Sequence, residues 1–426
     1  MNPLYNLGIH LFSTGARIAS GRSAKIKKMI SGQKQSLSDI KERRASVAPD
    51  GFDVWFHAAS LGEFEQARPI IERIKKDYPE KKILLTFFSP SGYEVRSGYD
   101  RVDCVAYLPF DTPRKVKRFL KAAEPKMAIF AKYEFWGNYL EKLHKSGIPT
   151  YIISAIFRPK QRFFKSWGGM FRNMLKCYNH LYVQDEASRE LLENIGIDKV
   201  TVAGDTRFDR VTDILQTAGS IPLVEDFVKN SRFTVIAGSS WPEDEDIYIP
   251  WLKSHPEVKA IIAPHEFDNT RLDTLRNKLG ASKTRLLSEL QNKDNKLANF
   301  DNIRYLIIDC FGLLSSLYRY GNVAVVGGGF GAGIHNLNEA AVYGIPVLFG
   351  PNHKKFKEAG ELISRGGGFT FSSSPEFNAT MNVFLNDPHA THTAGDAAGQ
   401  YIKDSIGASD IIFNDLFKKD STQPQT

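Results

Sequence analysis

Val54-Trp55-Phe56-His57-Ala58-Ala59, the stretch Glu63 to Lys76 after it, and Lys82-Ile83-Leu84-Leu85-Thr86-Phe87 decide the fold class. The outer runs are short and apolar throughout, as a strand buried on both faces must be, and an amphipathic helix separates them. The alternation continues through Met127-Ala128-Ile129-Phe130, Thr150-Tyr151-Ile152-Ile153 and His180-Leu181-Tyr182-Val183. It breaks around Gln216 to Ser231, then restarts with Phe233 to Ala237, Ala260 to Ala263, Tyr305 to Ile308 and Val323 to Val326. Strands spaced by helices imply a parallel sheet covered on both faces. The repeat after the break implies two doubly wound α/β domains of similar size, as the 426-residue length also requires. In such sheets ligands sit beyond the carboxyl ends of strands, so a cleft between the halves is the expected site.

Composition narrows the class. With 42% hydrophobic and 24% charged residues the chain is an ordinary globular protein. Cys104, Cys177 and Cys310 are too few and too scattered for a disulfide framework or a cysteine zinc site, and they suit a reducing compartment. No Walker-type phosphate loop, H-E-x-x-H or acidic metal cluster is present. The net charge of +8 is concentrated early, in Arg17, Arg22, Lys25, Lys27, Lys28, Lys34, Lys41, Arg43 and Arg44. The apolar Leu4 to Phe12 before them falls short of the ~20 residues that span a bilayer, and its flanking charge is wrong for a secretory signal. An apolar leader followed by a basic run suits a helix lying on an anionic membrane surface; a surface helix docked on its own domain is the alternative.

Three constellations carry chemistry. His57-Ala58-Ala59-Ser60-Leu61-Gly62-Glu63 lies at a strand end and helix start, where Glu63 is placed for a general base. The same residues also fit a helix cap, with Ser60 and Glu63 forming a capping box. Lys132-Tyr133-Glu134-Phe135-Trp136-Gly137-Asn138 puts a carboxylate among aromatics, either to orient a hydroxyl or as a satisfied core partner of a Lys or Arg. Val325 to Asn336 passes from a strand into a glycine-rich turn whose amides suit a phosphate, Glu339 follows on a helix, placed to accept from ribose hydroxyls, and Ile345 to Pro351 gives another strand. Gly327-Gly328-Gly329-Phe330-Gly331-Ala332 formally fits a dinucleotide fingerprint. It stands too late in its domain, however, and His353-Lys354-Lys355 occupies the place of the acidic residue.

Taken in order, these motifs resemble the Kdo (3-deoxy-manno-octulosonic acid) transferase family of lipopolysaccharide synthesis, from the leader to about residue 415. His57 to Glu63 resembles its H-A-A-S-x-G-E, Tyr107 to Asp111 its Y-L-P-x-D, and Lys132 to Asn138 its E-x-E-x-W-P-N. Gln184-Asp185 with Val202 to Asp209 resembles the block closing its N-terminal half. Gly333 to Glu339 with Pro346 and Gly350-Pro351 resembles its nucleotide-gripping block. Departures fall at Lys132, at Gly137, in Gly238 to Glu245, and at Ala263-Pro264-His265-Glu266-Phe267-Asp268. There the family's donor-binding arginine is missing, and His265 or Arg271 stands in for it.

The resemblance implies a GT-B type glycosyltransferase, two Rossmann-like domains facing a cleft. Residues 1–30 would be a membrane-associating leader, 31–215 an acceptor-binding domain, 216–415 a donor-binding domain and 416–426 a tail. It implies inverting transfer of Kdo from CMP-Kdo to a lipid A precursor at the cytoplasmic face of a bacterial inner membrane, with no cofactor, metal or nucleic acid. Glu63 is the implied catalytic base. Ser239, Ser240, His265, Gly331, Gly333, His335, Asn336 and Glu339 are the implied donor-binding residues. Ser60, Gly62, Glu134, Arg158, Lys160 and Arg162 are expected at the acceptor, with Phe157, Phe163, Phe164 and Trp167 edging into lipid. A solvated basic face is the alternative for that last segment. A GT-B enzyme using a UDP-sugar (a lipid-linked glycosyltransferase or an epimerase) and a degraded lipid- or nucleotide-binding protein are the competing readings.

Overall fold

The computed structural model describes residues 3–217, 219–291, 300 and 302–418. The chain forms two units, Met1–Arg210 with Ile406–Thr426, and Val211–Ser405.

In the first unit β1 (Val54–Ala58), β2 (Ile83–Phe87), β3 (Cys104–Tyr107), β4 (Ala128–Ala131), β5 (Thr150–Ala155), β6 (His180–Val183) and β7 (Val200–Val202) form one sheet in the order β3-β2-β1-β4-β5-β6-β7. Every pairing is parallel. Side chains along β1 alternate between two cores, Trp55 joining Leu84 and Phe130 on one face, Val54 and Phe56 joining Leu85 and Ile129 on the other. This two-sided burial is why the strand reads as an unbroken apolar run.

The second unit repeats the plan. Strands β8 (Phe233–Ser240), β9 (Val258–Pro264), β10 (Thr284–Leu286), β11 (Tyr305–Ile307), β12 (Val323–Val326), β13 (Val347–Phe349) and β14 (Gly368–Thr370) run parallel in the order β10-β11-β9-β8-β12-β13-β14. In both sheets the order reverses beside the first strand of the unit, which makes the carboxyl ends around β1 and β8 the places for ligands.

Two boundaries differ from those read in the sequence. The leader is not a separate segment: α1 (Pro3–Ala19) and α2 (Ala24–Val47) pack on the first unit. The Tyr5 hydroxyl donates to Asp111 (2.6 Å), and Asn138 donates to Asn6 (2.8 Å). A surface-helix pattern does not reveal such polar anchors, which come from residues more than a hundred positions away. The units divide at Arg210, not 215, and residues from Ile406 return to the first unit instead of completing the second. There Ile412, Phe413, Leu416 and Phe417 fill the face of the sheet shared with Ile71 and Ile74. The segment around Gln216 also contains helix, Arg207–Thr217 and Pro222–Val228.

Candidate active site

The first unit gathers its polar residues at the carboxyl ends of its strands. His57, on β1, is fully buried. Its Nε2 lies 2.9 Å from the Glu134 carboxylate, and its Nδ1 lies 2.9 Å from the Thr86 hydroxyl and 3.0 Å from the Thr86 carbonyl. The same Glu134 oxygen accepts from Trp136 Nε1 at 2.5 Å. Both imidazole nitrogens are therefore occupied inside the protein, and His57 ties β1 to the loop after β4 without facing a substrate. Glu134 is a buried core partner, as one sequence reading allowed, but its partners are a histidine and an indole instead of a Lys or Arg.

Glu63 sits in the first turn of α3 (Leu61–Asp77), half-buried. Ser60 is the N-cap residue, yet its hydroxyl makes no cap bond and donates instead to the Glu63 carboxylate. The reciprocal capping box is thus not formed, and the carboxylate is held at the strand-end surface. Gly62 beside it is exposed. Tyr133 marks what surrounds Glu63: burial pushes its phenol pKa up, and the charges acting on it are those of Arg158, Glu63, Arg207 and Asp205. Asp205 is fully buried; burial alone would raise its pKa, but the Arg207 guanidinium at 2.8 Å more than offsets this and holds it down. Tyr133, Asp205 and Arg207 were not singled out in the sequence, although all three stand inside quoted motifs. Lys132 and Ser154, at the ends of β4 and β5, have φ of +68° and +51°. Left-handed backbone at non-glycine residues is costly and concentrates at functional sites.

Arg158, Lys160 and Arg162 are exposed and lie together after β5, with Trp167 also exposed. Phe157 and Phe163 are buried in the core and Phe164 packs against it, which removes them from any contact with lipid. Their spacing in a loop gave no periodic signal from which burial could be read.

In the second unit the ends of β8, β9 and β12 bring three aromatic residues into a stack. The His265 and His335 rings are 4.1 Å apart and Trp241 lies 4.9 Å from His265. Trp241 Nε1 donates to His335 Nε2 at 3.1 Å, which requires that nitrogen to be unprotonated. Burial, with His265 adding to it, holds the His335 pKa down at about 4. Ser239 has φ +50° and its carbonyl would lie 2.2 Å from a Cβ on Gly327, so only glycine fits there. The turn uses many of its own amides: Gly328 donates to Asp244 (2.9 Å), Gly331 and Gly333 to the Gly328 carbonyl, and His335 to Gly327. These amides are not available to a phosphate. Asn336 donates to Glu339 at 2.9 Å, both half-buried. Ser240 turns into the core, bonded to Tyr248 (2.7 Å) and Glu245. Arg271 pairs with the same buried Glu245, and His265 is half-buried at the strand end. Among the described residues no group of His, Cys, Asp and Glu is arranged to hold a metal ion.

Two doubly wound parallel units, each with its polar residues at the strand ends, make up the GT-B type of fold. UDP-GlcNAc 2-epimerase from Neisseria meningitidis, solved with UDP-GlcNAc, covers 86% of this chain and all of its own at a TM-score of 0.59. At 16% identity that likeness concerns the fold alone. Residues 22–210 match the family described as 3-deoxy-D-manno-octulosonic-acid transferase (kdotransferase). The 3-deoxy-D-manno-octulosonic acid transferase of Aquifex aeolicus is 27% identical over 341 residues, 78% of this chain and 86% of that protein. That of Haemophilus influenzae is 25% identical over 381 residues, 86% of each. Over most of its length the chain is similar to transferases of this family, and it is an enzyme.

Proposed function

We propose that the protein transfers Kdo from CMP-Kdo to a hydroxyl of a lipid A precursor, with inversion, at the surface of the bacterial inner membrane. The observation that carries this reading is the Glu63 carboxylate held at the end of β1 by Ser60, beside Tyr133 and Arg158. In the reaction Glu63 takes the acceptor hydroxyl proton, the acceptor oxygen bonds to the anomeric carbon of Kdo, and the bond from that carbon to the CMP phosphate breaks. CMP departs with the electron pair. Asn336, Glu339 and the Trp241–His265–His335 stack are the side chains proposed to hold the nucleotide. Arg158, Lys160 and Arg162 are proposed to meet the acceptor's phosphates.

The membrane part of the proposal rests on α1. Leu4, Leu7, Leu11 and Ile18 fall on one face of the helix and are 56–75% exposed, while Tyr5, Ile9, Ser13 and Ala16 face the protein. No described helix is long and apolar enough to cross a membrane. The direct test is incubation with CMP-Kdo and a lipid A precursor followed by mass spectrometry of the lipid, with UDP-sugars in parallel. A product formed from a UDP-sugar and none from CMP-Kdo would replace this reading.

A further inference from the structure

A cavity of about 230 Å³ opens between α1, α2 and the helix Pro113–Ala123, away from the strand-end residues described above. Four cations line it, Arg17, Lys34, Lys115 and Arg118, over a floor that includes Phe110. No carboxylate lines the cavity. The nearest one in sequence, Asp111, is committed to the Tyr5 hydroxyl and to the amides of Asn138 and Tyr139. Some other cations of this unit, such as Arg44, Lys75 and Arg96, stand within ion-pair distance of a carboxylate. Among the described residues these four do not. Gln33 is the second, independent observation. It is 93% buried, it lines the same cavity, and both its amide nitrogen and its amide oxygen lack a partner. A buried amide without partners is costly and calls for an explanation, of which a bound ligand is one.

We infer that this cavity binds the phosphate of an anionic phospholipid headgroup, with Gln33 donating to a phosphate oxygen and Lys115, Arg17, Lys34 and Arg118 surrounding it. Lys115 is already screened from solvent: burial, then Arg17, lowers its pKa, and its Nζ lies 4.9 Å from the Phe110 ring centroid. An arriving anion relieves both the repulsion and the unpaired amide. The source is a lipid because the cavity adjoins the exposed apolar face of α1. Phe12 stands edge-on to Phe110 at 5.7 Å, and Leu11 precedes Arg17 by six residues, about 9 Å along the helix. A bilayer that receives Leu7 and Leu11 thus brings its headgroups beside the cavity. The inference rests on the membrane docking proposed above, and adds that docking is a specific bond to one headgroup and not only diffuse attraction.

The test is Gln33→Leu, which removes no charge, with Arg118→Gln as a second variant, in flotation with phosphatidylglycerol–phosphatidylcholine vesicles at physiological salt. Gln33→Leu is expected to weaken vesicle binding at least about tenfold, the worth of a hydrogen bond to a charged group. It should keep wild-type turnover on detergent-solubilised acceptor, and should raise the melting temperature of the lipid-free protein. Wild-type vesicle binding by Gln33→Leu, beside reduced binding by Arg118→Gln, would leave only diffuse attraction and overturn the inference. A melting-temperature rise with inorganic phosphate that Gln33→Leu abolishes, without any change on vesicles, would make this a free-anion site. A raised KM for detergent-solubilised acceptor, again without a change on vesicles, would make the phosphate the acceptor's own. Either outcome overturns the phospholipid assignment. Absence of vesicle binding by the wild-type protein would instead refute the membrane docking itself.

Discussion

Replacing Glu134 by alanine separates a structural carboxylate from an ornamental one. In the native protein one oxygen of Glu134 receives His57 Nε2 at 2.9 Å and Trp136 Nε1 at 2.5 Å. His57 has no solvent exposure, so water cannot replace the lost acceptor without opening the sheet end. Each buried donor left unpaired costs about 1–3 kcal/mol, so with two donors the expected loss for Glu134→Ala is about 2–6 kcal/mol. Glu134→Gln keeps one carbonyl acceptor for one of the two donors and should lose about 1–2 kcal/mol. Because two units need not unfold together, a single melting curve is a poor measure. Amide hydrogen exchange of β1, Val54–Ala58, reads the first unit alone. A Glu134→Ala protein whose β1 amides exchange within about 1 kcal/mol of wild type would refute the reasoning, since His57 would then have found another partner at little cost.

Glu63→Gln should lower turnover ~10²–10⁴-fold while CMP binding, followed by calorimetry, stays unchanged; turnover near wild type would return Glu63 to a helix-start role. Glu339→Ala should weaken CMP binding by about 1.5–3 kcal/mol, and unchanged affinity would mean the Asn336–Glu339 contact is structural. Leu7→Gln with Leu11→Gln should release the protein from vesicles, each leucine contributing up to about 1.5–3 kcal/mol. These substitutions are preferable to deleting residues 1–30, which would also remove the Tyr5 bond to Asp111. His335 should titrate by NMR near pH 4, below its ordinary 6.5. Its contribution to stability is then complete above pH 6.5 and is lost as pH falls through 4. Asp244, raised to about 6 by burial, acts in the opposite sense: its contribution is complete below its ordinary 3.8 and is lost as pH rises through 6. A His335 midpoint at 6.5 would show that burial, with His265 beside it, does not hold the ring neutral.

The strands legible in the sequence were those with neighbours on both sides. The four that were not read, β3, β7, β10 and β14, are the four edges of the two sheets. They are three or four residues long and all include partly exposed positions, so they lack the continuous apolar run that marked the others. At the site, Glu63 and the glycine turn were legible because a strand end and a helix start are written in adjacent residues. The joining of His57 to Glu134, 77 positions apart, was not, because both motifs are locally complete without it. Gln33 and Ser240 were invisible or misplaced for a related reason: whether a polar side chain faces a cavity or a core depends on which helix face is covered, and the covering elements lie elsewhere in the chain.

The return of Ile406–Lys418 to the first unit sets an order of events during synthesis. When Arg210 leaves the ribosome the sheet of the first unit is whole, but the face that Ile412, Phe413, Leu416 and Phe417 will cover is still bare. Roughly 200 residues of the second unit must then be translated, about 10–40 s at usual bacterial speeds, before the covering segment exists. Throughout that interval Ile71, Ile74 and their neighbours present an apolar surface to the cytosol, and the second unit is free to fold first. The half of the protein that is made first is therefore the half that is finished last, and nascent chains halted before Ile406 should be the ones that chaperones retain.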